Sequence, residues 1–532
     1  LDHVAKDSVV TVGQLLAHQR TRYVLSWLLF ISVAATMLYY SWTARDHRSR
    51  CDGNDGHATI DFGGQWLMGR MLVEGNAREL YDRDVQRGLL TDHYPAEDGA
   101  PGESTDVENL MYWMMGNDDE LDDRQERHVG GPLYPPVHAF LMAPPALLPP
   151  RLAYRVSQFL NVIEAILAGL AIRRLFGGRL WLPLAALMVM TFAGYSGSLT
   201  LGQNATLTLV ILLWGWVFMA EGKNARGGAV WGLLAFKPVW ALSFFLVPLI
   251  TRRWRACLTM ALMGFAFFVM TLPWVGWHGW MDWLAIGREA AAEYRRDARW
   301  ISLSRDVLGL SRRCLGGRFD ESSLVPDLVG WVMLANIFFT TVGLTMLHWR
   351  KAQTTKGPIP AFILLGAWLC CFHFMYYDVL LTLLPLTVLL TDTECWLGLS
   401  LVRLRWTWRL DRLVVPEYEA GPVAIDYCRP RLATSFPQRP TAPVGAAPLF
   451  WTVNSIPLTL IILIYLQYPI EYAWFHWEHR SIAGVPLDTY SIIGIWLWCG
   501  VRLIRDWSIA DRTLAAIEHQ SSRLAAPAGG AV

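Results

Sequence analysis

The chain has 532 residues, 53% of them hydrophobic and only 17% charged, with 27 tryptophans and a formal net charge of +1. A soluble protein normally carries about 25% charged residues, so the composition excludes an ordinary soluble fold. Near-zero net charge leaves no global basic field for nucleic acid. The eight cysteines are scattered, with no CxxC or Cys/His spacing that would point to zinc. The expected class is an all-α polytopic membrane protein with about a dozen apolar segments, since a span needs about 20 apolar residues.

Lys and Arg gather on the cytoplasmic side of spanning helices, and that bias orients the chain. The run 23–42 follows Arg20 and Arg22, so the N-terminus is expected inside. The chain opens on Leu1, and this first run is of full spanning length, so it is expected to stay as a span and not to be a cleaved signal peptide. A long polar loop, 43–133, then lies outside. Residues 134–149 are apolar but short and proline-rich. If they crossed, Arg173 and Arg174 would fall outside, so they read as a helix lying in the outer interface. The run 152–172 descends to Arg173, Arg174 and Arg179; 181–199 climbs to Gly202-Gln203-Asn204; and 205–220 returns to Lys223 and Arg226. The stretch 227–251 breaks at Lys237-Pro238, as two half-length helices that go out and come back to Arg252, Arg253 and Arg255.

Run 256–275 rises to a second outer loop, 276–325, and 326–347 descends to His348-Trp349-Arg350-Lys351. Runs 360–375 and 379–391 form a hairpin with Tyr376-Tyr377-Asp378 at its outer tip. Residues 43–151 and 276–325 are thus non-cytoplasmic, and 173–179, 221–226, 252–255 and 393–448 cytoplasmic. The expected units are a transmembrane domain over 1–392, an Arg- and Pro-rich cytoplasmic linker over 393–448, a two-helix membrane segment over 449–510, and a flexible tail over 511–532.

Ionisable groups at membrane depth are costly and so are functional candidates. Lys237 stands in an apolar stretch, where it either snorkels to the surface or meets a substrate phosphate. Glu164, in the middle of the 152–172 run, reads as a buried structural partner. Asp61 lies just beyond the first span, ahead of an amphipathic helix bearing Trp66, Met68 and Leu72; a carboxylate there suits a general base. The acidic run 117–124 reads as a solvated loop, because its spacing does not match a calcium loop. Residues 289–306 read as an interfacial amphipathic helix whose arginines also suit a lipid phosphate. His476 and His479 lack further ligands and do not suggest a metal. Cys51 and Cys314 fall in loops on the same side, which allows a disulfide.

The succession DFGGQWLMGR, LYD, YPPVHAFLMAPPALLP, GQN, GLLAFKPVWALSFFLVPLITRRWRA and HFMYYDVLLTLLPL, over residues 20–392, resembles glycosyltransferase family 87. These are membrane enzymes of the C-type superfamily that use polyprenyl-phosphate sugars. The resemblance implies a C-type helical bundle with amphipathic helices in its outer loops. It makes Asp61 the catalytic base and assigns substrate binding to Arg70, Gln203, Asn204, Lys237, His373 and Asp378, with neither metal nor cofactor beyond the donor lipid. Two departures stand out: an insertion at about 92–131, and Gly64-Gln65-Trp66 where the family has an aromatic pair. The implied reaction is inverting transfer of a hexose or pentose from polyprenyl phosphate to a glycolipid or glycan, at a bacterial inner membrane. Expected partners are that lipid, the acceptor and bilayer lipids, without nucleic acid. The alternative is a non-catalytic member of the fold serving as a subunit among other membrane subunits, with the helices after 449 as docking surfaces.

Overall fold

The computed structural model describes residues 19–46, 61–93, 133–293, 295, 298–316, 323–349, 351–392, 456–467 and 486–505. The acidic run 117–124, almost all of the 92–131 insertion, Cys51, the 393–448 linker, His476, His479 and the tail lie outside those residues. Among the described residues the fold is all-α, with one isolated bridge between Ser304 and Met375.

Among the described residues, five helices are long and apolar enough to cross a membrane: Gln19–Asp46, Pro150–Leu175, Trp254–Glu293, Val325–Leu347 and Leu487–Arg505. Five shorter apolar stretches accompany them, including Ala205–Ala220, Pro238–Ile250 and Pro358–Leu369. The apolar segments expected from sequence are therefore a mixture of full spans and half-length pieces. Proline opens helix after helix, at Pro136, Pro150, Pro183, Pro238, Pro326 and Pro358. Its missing N–H costs nothing in the first turn, and its fixed φ suits the helix start.

The run 181–199 is not one straight span. It divides into Leu182–Met190 and Tyr195–Leu201, bent by 72°. The break centres on Gly194, at φ 89°, where a Cβ would overlap the Tyr377 carbonyl. Only glycine adopts that backbone and admits another main chain so closely. At the far end of Tyr195–Leu201, Gly202 takes φ 64°, and a Cβ there would lie 2.7 Å from Cβ of Phe62. That contact seats the Gly202-Gln203-Asn204 turn on the helix that Asp61 begins.

Two other expectations change. The Asp61–Val73 helix is not amphipathic at an interface: Phe62 through Gly69, and Met71, are buried. It packs along Pro136–Ala146, the short proline-rich helix, so its apolar faces meet protein on nearly every side. Nor is 289–306 one helix. Trp254–Glu293 breaks at Gly276 and runs on to 293, and Ala298–Leu303 and Val307–Leu315 follow as separate pieces. Asp306 causes the second stop: its Oδ1 accepts the Gly309 N–H at 2.7 Å, capping the next helix.

Of the segment expected at 449–510, Ile456–Gln467 and Leu487–Arg505 are helical and pack on the chain's own core. Trp496 stacks on Phe362 at 5.4 Å and donates to Thr341 Oγ1 at 3.3 Å, while Tyr465 donates to the Met188 carbonyl at 3.2 Å.

Candidate active site

Four breaks in helices meet at one end of the bundle: the start of Asp61–Val73, the 202–204 turn, the Lys237-Pro238 break and the 370–378 segment. Each frees backbone and side-chain polar groups inside an apolar bundle, where they must pair with one another.

Gln65 lies four residues after Asp61 and so on the same helix face. Its Nε2 donates to the Asp61 carbonyl and to the Gly202 carbonyl, each at 3.1 Å. Its Oε1 lies 3.0 Å from His138 Nε2 and 3.5 Å from Asn204 Nδ2. His138 is fully buried and stacks on Tyr134 with ring centres 4.1 Å apart. Burial, and then the Lys237 charge, push its imidazole down to about 3, so it is neutral at physiological pH. Among the described residues, His138 Nδ1 and Asn204 Oδ1 are buried without a hydrogen-bond partner.

Gln203 extends this network. Tyr134 donates to its Oε1 at 2.8 Å, and its Nε2 donates to the Tyr377 hydroxyl at 3.0 Å. The Lys237 ammonium sits 5.4 Å from the Tyr377 ring centre and donates to Asp378 Oδ1 at 2.8 Å. Lys237 and Asp378 are only 9% and 2% exposed, so this is a buried ion pair and not a lysine snorkelling to the surface. Its backbone (φ −135°, ψ 74°) is the Ncap of Pro238–Ile250, where the helix dipole disfavours a cation. Asp378 offsets that cost, and one of the three ammonium donors serves it.

His373 joins the same cluster electrostatically. The charges of Asp306, Asp378, Lys237 and Arg312 all act on its buried ring.

The expected residues therefore do not all converge. Gln203, Asn204, Lys237, His373 and Asp378 form one network, and Asp61 heads the helix that enters it. Arg70 stands apart. Nine residues along the same helix place it about 13 Å from Asp61. There it pairs with Glu74 at 2.6 Å, lies 3.2 Å from His93 Nε2 and donates to the Ala146 carbonyl at 3.3 Å. Gln65, Tyr134, His138, Tyr377 and Asp306 were given no role in the site from sequence. The i,i+4 relation of Gln65 to Asp61, and a histidine inside an apolar proline-rich motif, were the available signals.

The family model described as glycosyltransferase family 87 matches residues 133–375. Residues 133–375 thus resemble a family of membrane glycosyltransferases, in keeping with the helical bundle. The matched stretch contains Gln203, Asn204, Lys237 and His373, whereas Asp61 and Arg70 precede it and Asp378 follows it by three residues. No curated protein and no solved structure matches the chain.

Proposed function

We propose that this protein is a glycosyltransferase that moves a hexose or pentose from a polyprenyl monophosphate to a hydroxyl of a glycolipid or glycan, with inversion, on the non-cytoplasmic face of a bacterial inner membrane. The convergence of Gln65, Gln203, Lys237 and Asp378 from four separate breaks carries this reading, because substrate chemistry needs distant residues held together. The acceptor oxygen attacks the anomeric carbon as the bond from that carbon to the phosphate oxygen breaks. Asp61 takes the hydroxyl proton, and polyprenyl phosphate leaves with the bonding electron pair. Its added negative charge falls to the Lys237 ammonium, which Asp378 aims and which keeps two donors for the phosphate. Gln203, Asn204 and His373 offer sugar hydroxyls both donors and acceptors. The scheme needs no metal.

The Asp61→Asn variant tests the assignment in proteoliposomes supplied with polyprenyl-phosphate donors bearing labelled hexoses or pentoses. Its turnover is expected to fall by about two to four decades with the fold retained. Transfer at the wild-type rate would remove Asp61 from the role of base. Sidedness has its own test: Leu110→Cys should react with an impermeant thiol reagent from the non-cytoplasmic side. Labelling from the cytoplasmic side alone would overturn the orientation.

A further inference from the structure

The segment that carries His373 and Asp378 is the least regular part of the site. Between the Pro358–Leu369 helix and the 3-10 helix Tyr376–Thr382 it has no helical ladder of its own. A second irregular stretch, 304–306, holds it instead. The Arg305 N–H donates to the Phe374 carbonyl at 3.1 Å, the Phe374 N–H lies 3.4 Å from Asp306 Oδ2, and Ser304 bridges Met375. Asp306 is fixed in turn by the Ser304 hydroxyl at 2.5 Å and the Gly309 N–H.

What holds 304–306 comes from the far end of the chain. Asp488, in the first turn of Leu487–Arg505, accepts Arg305 Nε at 3.1 Å, 183 residues away in sequence. Thr489 donates its hydroxyl to the Arg305 carbonyl at 3.3 Å, and its own N–H donates to Asp488 Oδ1 at 2.6 Å. The two paired side chains are 2% and 0% exposed. Arg305 also donates through Nη1 to the Ser302 and Ser304 carbonyls, at 2.9 and 3.2 Å. The guanidinium thus joins the 302–304 stretch to Leu487–Arg505, and Asp488 supplies it with negative charge. Removing one member of such a buried pair leaves the other charge uncompensated.

We infer that Leu487–Arg505 is a built-in brace of the transfer site and that Asp488 is a positioning residue, which through Arg305 fixes the 371–378 segment and thereby Asp378 and the Lys237 ammonium. This helix lies outside the family-matched residues 133–375. Its catalytic meaning rests on the reading of Lys237 and Asp378 as the donor-phosphate locus, but its structural content does not.

Two readouts on the full-length protein separate the two. Hydrogen–deuterium exchange of the peptide covering 371–378 reports the brace directly. Steady-state transfer from a polyprenyl-phosphate hexose reports its effect on the site. In Asp488→Ala, exchange of that peptide should rise about tenfold or more, and KM for the donor should rise about tenfold while kcat changes less. Trp496→Phe, a change on the same helix away from Arg305, should leave both near wild type. If Asp488→Ala does not fold, Asp488→Asn keeps the volume and an acceptor for Arg305 and should show the same changes at about threefold. Unchanged exchange at 371–378 in a folded Asp488 variant would overturn the brace. Equal effects of Trp496→Phe would overturn it too, by reducing Asp488 to general docking of the helix. Raised exchange in a protein that transfers no sugar from any donor would leave the brace standing and sink the enzyme reading alone.

Discussion

Both ends of the bundle bury a cation, and they do so in opposite ways. At the end away from the site, Arg253 donates to the carbonyls of Met219 and Gln353, at 3.2 and 3.1 Å, and lies 5.3 Å from the Trp216 ring centre. Met219 lies in the last turn of Ala205–Ala220, so this cation meets the negative pole of a helix, at a carbonyl that also accepts the Gly222 N–H at 3.1 Å. Lys237 sits instead at the positive pole of its helix and relies on the single carboxylate of Asp378. The first arrangement closes a structural seam using backbone groups that any helix end supplies. The second maintains a charge where local structure opposes it, in line with the proposed donor-phosphate role of Lys237.

Breaking the Lys237–Asp378 pair should have the largest effect on stability. Lys237→Met leaves a buried carboxylate uncompensated and should cost about 3–5 kcal/mol, read as a fall in the thermal midpoint in detergent. Adding Asp378→Asn should restore much of that stability but not sugar transfer. Full transfer by the double variant would make the pair structural, like its counterpart at the other end. Arg253→Met should cost about 1–3 kcal/mol by removing the guanidinium donors to the Met219 and Gln353 carbonyls, yet leave transfer per folded molecule unchanged. A selective loss of turnover there would erase the distinction between the two ends.

Acid should also act on the site end first. His138 is held at about 3 when folded, below its unfolded value of about 6.5. As pH falls below about 6.5 the unfolded chain takes up this proton first, so stability declines by about 1.4 kcal/mol per pH unit towards pH 3. His138→Gln should flatten the stability profile between about pH 6 and pH 4 by one proton's worth; an unaltered slope would show that His138 is not the group titrating. The smallest effect belongs to Arg174, which is 51% exposed and paired with Glu221 at 2.5 Å. Arg174→Ala should change stability by less than about 0.5 kcal/mol.

Local chemistry in the sequence anticipated the features that depend on it. The Lys237-Pro238 break follows from proline's missing N–H, and the Gly202-Gln203-Asn204 turn from glycine. The shortness of the Pro136–Ala146 helix was legible from the prolines that flank and interrupt its apolar run. The features that were missed depend on contacts between distant segments. Nothing near Gly194 announces a 72° bend, because its cause is the Tyr377 carbonyl, more than 180 residues later. The Asp61–Val73 helix reads as amphipathic until Pro136–Ala146 covers its second face. Lys237 was a candidate on its own, but its partner emerged only from folding.

The ion pair at the site also has a history in time. Lys237 and Asp378 are 141 residues apart, and a ribosome adding about 5–20 residues per second takes about 7–28 s to make the interval. For that period the growing chain carries the Lys237 ammonium among apolar residues before its Asp378 partner is made. The half-helices on either side of Pro238 are consistent with that interval, because a broken span lets the charge remain near the headgroups until the late hairpin arrives. The site is thus completed late in synthesis, and the bundle around it must stay open long enough to receive Tyr377 and Asp378.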